Sequence, residues 1–79
     1  MIYIPDVGVY INPLHIEAVE LTNVLNPDGS GSFQWGVFIY TSREKYGYYC
    51  DRLKEAKDFK DSLINKVDSY LDGLKAKNM

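Results

Sequence analysis

Cysteine and histidine each occur once in the 79 residues, as Cys50 and His15. That excludes a disulfide within the chain and any zinc site of the Cys₄ or Cys₂His₂ kind, so a reduced thiol and no cofactor or metal are expected. Long hydrophobic runs are missing as well. No run approaches the roughly 18 residues of a membrane span, and the start, Met-Ile-Tyr-Ile-Pro-Asp, has neither the charged opening nor the apolar stretch of a signal peptide. The expectation is a cytoplasmic protein without membrane insertion.

Basic residues are absent from the first 42 positions, where Asp6, Glu17, Glu20 and Asp28 give a charge of −4. The nine Lys and Arg lie between Arg43 and Lys77, and the seven acids among them leave that half at +2. Duplex binding needs several bases on one face to displace counterions; here each base has an acid close by in sequence, which disfavours nucleic acid as a partner. What the chain does have is apolar and aromatic residues, 46% of the total. That suffices for one modest core, hence a single domain over residues 1–79 with a sheet over about 2–50 and a helix over about 52–74.

Val7-Gly-Val-Tyr-Ile11 reads as a first strand, stopped by Asn12-Pro13, and Asn12 to His15 as a tight corner. A second strand is expected from Ile16 to Leu25. Asn26-Pro-Asp-Gly-Ser-Gly-Ser32 gathers turn-forming residues and predicts a mobile hairpin loop. Phe33 to Thr41 is the third strand, Ser42 to Lys45 a turn, and Tyr46 to Cys50 a shorter fourth strand. From Asp51 the period shifts to about 3.6, with Leu53, Ala56, Phe59, Leu63, Ile64, Val67, Tyr70, Leu71 and Leu74 drawing one apolar stripe. The fold class expected is α+β: a three- or four-stranded antiparallel meander with one long C-terminal amphipathic helix on one face.

Two features bear on function. A helix near 34 Å would outreach strands of about 17–20 Å, leaving Tyr70, Leu71 and Leu74 either to pack on a second copy in a homodimer or to lie beyond a break near Asp58 or a fray after Asp68. The pleat of the third strand turns Phe33, Trp35, Val37 and Ile39 toward the helix. Tyr10, Phe38, Tyr40 and Tyr49 then fall on the other face, together with Gly8, Gly36 and Gly47. Either the rings pack flat on the glycines as local structure, or a second copy or the loop covers them, or they form an exposed contact patch for another protein. In that last case Glu17 and Glu20 nearby call for a partner with a basic rim. Sheet aromatics can also stack single-stranded bases, the alternative of a different class, but that mode wants interleaved bases that the first three strands lack.

Catalysis has little support. His15 and Cys50 are the one nucleophile and base pair available, with no nucleophile-elbow or oxyanion-loop pattern around either. Asp28 to Ser32 lacks the GxxxxGK of a phosphate loop and lies between strands. The expectation is no catalytic residue.

Asn12-Pro13-Leu14-His15-Ile16-Glu17-Ala18-Val19-Glu20 resembles the N-P-x-x-I-E-x-V/I-E stretch of the small FlbD-like proteins encoded in bacterial flagellar operons. Similar corners occur in unrelated small bacterial and phage proteins. The resemblance covers residues 7–21 and implies a short strand before the corner, a hairpin and a C-terminal helix after it, and a non-enzymatic cytoplasmic accessory protein. It carries no binding site with it. The sequence departs from that pattern in the Asn26–Ser32 loop and in lacking an Asn-Gly turn within Thr41–Tyr46. Taken together, the residues point to a small adaptor or inhibitor that binds another protein, encoded by a phage or an accessory operon.

Overall fold

The computed structural model describes residues 1–77, with side chains through Leu74. In chain order the elements are β1 (Ile2–Ile4), β2 (Val9–Ile11), a 3₁₀ turn (Pro13–His15), β3 (Ile16–Leu25), β4 (Phe33–Thr41), β5 (Lys45–Cys50) and α1 (Leu53–Lys77). The strands form two antiparallel sheets, β1-β2 and β3-β4-β5, and α1 packs across them to give the expected α+β architecture.

The opening of the chain differs from expectation. Ile2-Tyr-Ile4 is a strand in its own right, pairing Ile2 with Ile11 and Ile4 with Val9, so the first expected strand is the return arm of a small hairpin. Val7 and Gly8 belong to its turn, where both amides donate to the Ile4 carbonyl at 3.2 and 2.8 Å. Gly8 adopts φ 69° there, a conformation that residues with a Cβ rarely accept.

At the corner, the Asn12 side chain accepts a hydrogen bond from the Leu14 amide at 3.0 Å, and Pro13 opens the turn with its φ already fixed. The register then slips between Ile16 and Ala18, and from Ala18 to Leu25 every residue of β3 pairs regularly with β4. The Asn26–Ser32 loop closes the hairpin through Asn26 N–H to the Ser32 carbonyl at 2.8 Å. Inside it, Asp28 accepts from the Ser30 amide at 2.8 Å, and bonding to Ser30 holds its carboxyl below the usual value. The β4–β5 turn is braced by Thr41 Oγ1, which accepts from the Glu44 amide at 2.9 Å and donates to its carbonyl at 3.0 Å.

One core joins the elements. Val37 and Ile39 on β4 are fully enclosed, with Ala56, Phe59 and Leu63 of α1 above them and Ile4 and Ile11 entering from the β1-β2 hairpin. Tyr48 stacks on Phe59 at 4.3 Å between ring centres. Trp35 shares this side, half-buried against the core as are Val19 and Leu21.

The helix runs without a break through Asp58 and Asp68 to Lys77, about 37 Å at ~1.5 Å per residue. Its distal apolar residues are not as bare as the sequence suggested. Tyr70, Leu71 and Leu74 are half-buried, and Ile2 shares a shallow groove with Tyr70. The additional strand β1 supplies that neighbour.

A candidate interaction face

The sheet side away from α1 presents Ala18, Glu20, Thr22 and Val24 from β3, Gln34, Gly36, Phe38 and Tyr40 from β4, and Lys45, Gly47 and Tyr49 from β5. At its centre Phe38 stands opposite Glu20 on one side and Gly47 on the other. Among the described residues no helix or strand lies over Phe38, yet it is only 8% exposed. Its ring lies along the backbone of Gly36 and Gly47. A Cβ built on Gly36 would sit 3.1 Å from the ring, and one on Gly47 3.2 Å from it.

Two neighbours close the remaining sides. Tyr49 meets Phe38 edge-on, with ring centres 5.7 Å apart. The Lys45 ammonium lies 4.4 Å from the Phe38 ring centre and 5.3 Å from that of Tyr40, within cation–π range. The Tyr40 hydroxyl donates to Glu20 Oε1 at 3.0 Å. The result is a flat aromatic platform with an acid at one edge and a base at the other. Tyr49, 52% exposed, is its most accessible ring.

The expected patch is therefore assembled in part. Tyr40 and Tyr49 share the platform with Glu20. Phe38 is on the same face but enclosed, so it supports the two tyrosines and offers little contact area of its own. Tyr10 belongs to the other sheet, exposed and tilted against Tyr3 at 4.8 Å between ring centres. Gly8 is likewise in the hairpin turn and not on this face. Glu17 is exposed at the register slip that opens β3.

Sequence reasoning passed over the far end of the β3–β4 hairpin. Leu25 and Phe33 pair there at the tip, 61% and 62% exposed, because α1 starts level with Cys50 and Trp35 and does not reach them. Expecting Phe33 under the helix was wrong for that reason: its pleat direction was right, but the helix begins too late. The signal was available, since β3 and β4 are each longer than β5.

His15 and Cys50 are not brought together. His15 precedes Ile16, which pairs with Thr41, whereas Cys50 pairs with Trp35, a separation of about 20 Å along β4 at ~3.3 Å per residue. Cys50 is buried and its thiol donates to the Arg52 carbonyl at 3.3 Å. Burial pushes that thiol above its ordinary value, with Glu55 and Asp51 adding to the shift. His15 instead shares a corner cleft with Arg43, Glu44 and Tyr46. Among the described residues, no group of three His, Cys, Asp or Glu side chains is placed to hold a metal ion, and no helix is long and apolar enough to cross a membrane. The chain matches no family model, and no curated protein or solved structure matches it significantly.

Proposed function

We propose that the chain is a small non-enzymatic protein-binding module, an adaptor or inhibitor of the sort encoded by phages and accessory operons, acting in the cytoplasm. The observation that carries this reading is Tyr49, half exposed on a platform packed around Phe38 and Lys45. Tyrosine brings a large contact area at small entropic cost, and its hydroxyl tolerates water before binding. Tyr40 and Glu20 extend the surface, and Glu17 lies near its edge. At the β3 edge, where Glu20 and Glu17 lie and the first 42 residues hold no base, the favoured partner surface is basic at its rim, while Lys45 marks the opposite edge.

The same chain is proposed to self-associate through Tyr70, Leu71 and Leu74, since the apolar stripe of α1 continues beyond the buried cluster. Sedimentation at micromolar concentration should then give about twice the 9.1 kDa chain mass. A clean monomer there removes the dimer from the reading.

The binding surface is tested by capture with tagged wild type and Tyr49→Ala, alongside thermal melts. Tyr49→Ala should weaken capture by about 1–3 kcal/mol while costing the fold only the ~0.5–1.5 kcal/mol of its edge-on contact with Phe38. Undiminished capture, or capture that collapses with added salt as a nucleic-acid complex does, overturns the proposal.

A further inference from the structure

Every backbone amide and carbonyl on the outward edge of a sheet must find water or another strand. β3 is such an edge, its one neighbour being β4. Among the described residues no backbone hydrogen bond joins β3 beyond Ile16 to any element other than β4 and the loop that follows. Edges are ordinarily blunted by shortness, Lys, Pro or a bulge. β3 is 10 residues long, carries no Lys or Pro, and its irregularity is confined to Ile16–Ala18. Ala18 to Leu25 is a regular, open template. The opposite edge, β5, has six residues, a Lys at its start and a Gly within it.

Resting on the protein-binding reading, we infer that β3 accepts an added strand from the partner, an extended segment in which basic and apolar residues alternate. The alternation follows from the two sides of β3. On the outer side Glu20 uses Oε1 for Tyr40 and leaves Oε2 for a second donor, so a Lys or Arg fits opposite it. On the inner side Val19 and Leu21 border the core, Asn23 between them and the tip donates its side-chain amide to the Gln34 carbonyl at 3.2 Å, and Leu25 is exposed, so apolar residues fit opposite Val19, Leu21 and Leu25. Main-chain bonds would supply affinity and the alternating side chains selectivity. A second copy fits less well, because an antiparallel β3 pair centred on Glu20 sets that carboxylate against its own counterpart with no base on either strand, and opposed like charges destabilise a pair.

The probe is the blocked peptide acetyl-Val-Lys-Ile-Arg-Val-Lys-Ile-Thr-amide, with a control carrying N-methyl groups on alternate backbone nitrogens. Amide exchange followed by NMR should slow at every second residue between Ala18 and Leu25 and stay unchanged in β5. The N-methylated peptide keeps its charges but should lose binding. Glu20→Lys should weaken binding about fivefold to tenfold while shifting the circular-dichroism melt no more than Tyr40→Phe, which removes the same hydrogen bond. Protection at β5 or α1 instead, equal binding of the N-methylated peptide, or no binding at millimolar peptide overturns the inference. So does concentration-dependent protection of β3 in the protein alone, which would assign the edge to a second copy. A partner captured through Tyr49 that leaves the β3 amides exchanging freely would remove this inference and leave the protein-binding reading standing. Peptide at β3 with capture indifferent to Tyr49→Ala would do the reverse to the tyrosine face.

Discussion

The two faces of the three-stranded sheet bury their central residues by different means. Beneath α1, Val37 and Ile39 are sealed by other elements, with Ala56, Phe59 and Leu63 above and Ile4 and Ile11 alongside. On the opposite face, Phe38 reaches 8% exposure with no element over it among the described residues, by lying on two glycines between Tyr49 and Lys45. A side chain enclosed by a helix depends on long-range packing, whereas one enclosed by its strand neighbours depends on the absence of Cβ atoms beside it. The outer face can therefore be firm and still accessible, as a recognition surface requires.

The comparison is strained hardest by Ile39→Ala. Truncating a fully enclosed Ile leaves a cavity between sheet and helix, and about 2–5 kcal/mol should be lost in urea unfolding. Cys50 offers a second readout: buried and held as a thiol, it should react with a maleimide only on opening, so labelling should speed up in the variant. Its raised thiol also sets a pH dependence, together with Tyr48, which burial pushes above its ordinary value. Above about pH 9, near the ordinary thiol value of 9.0, the unfolded chain releases protons that the native state retains, so stability should fall as pH rises further. A flat profile from pH 8 to 10 would mean these groups are as hydrated in the folded chain as in the unfolded one.

Phe38→Ala should cost less, about 2 kcal/mol, below the ~3–5 of a Phe truncated inside a core, because water can fill the space left on an open face. A loss equal to that of Ile39→Ala would make the outer face a second core and not a platform. Gly36→Ala should come next, at about 1 kcal/mol. Alanine suits a strand better than glycine does, but its Cβ would sit 3.1 Å from the Phe38 ring, and the ring must shift to admit it. A stabilised variant would show that the ring is not held by the glycines.

Much of the frame was legible because its signals are local. β-Branched and aromatic runs bounded by turn residues marked β3 and β4, the cluster Asn26–Ser32 marked the hairpin between them, and the change of period at Asp51 marked the helix. β1 escaped because three residues are too few to establish a period. Its signal was a pair of matching triplets, Ile2-Tyr-Ile4 and Val9-Tyr-Ile11, flanking Pro5-Asp-Val-Gly8, a four-residue hairpin connection. Missing it put Tyr10 on the wrong sheet and left the distal helix without Ile2. The platform was half legible: alternation placed Phe38, Tyr40 and Tyr49 on one face, but the enclosure of Phe38 depends on Lys45, whose approach over the rings is set by the Thr41–Glu44 turn and not by sequence spacing.

The smallest expected effect is that of Tyr40→Phe. The substitution keeps the ring, and with it the contact to Lys45 at 5.3 Å, and removes one hydrogen bond, that donated to Glu20 Oε1 at 3.0 Å. Both partners are accessible to water, so the freed carboxylate is rehydrated and not stranded, and the cost should stay near 0.5 kcal/mol or below. Double-mutant analysis with Glu20→Gln and Lys45→Met sharpens the point. If Glu20, Tyr40 and Lys45 act as separate exposed contacts, their effects should add to within about 0.5 kcal/mol. A Tyr40→Phe loss above about 1.5 kcal/mol, or strong coupling between Glu20 and Lys45 through Tyr40, would mean that the acid-to-base row across the platform behaves as one desolvated network. The outer face would then rely on polar order as much as on glycine and aromatic contact.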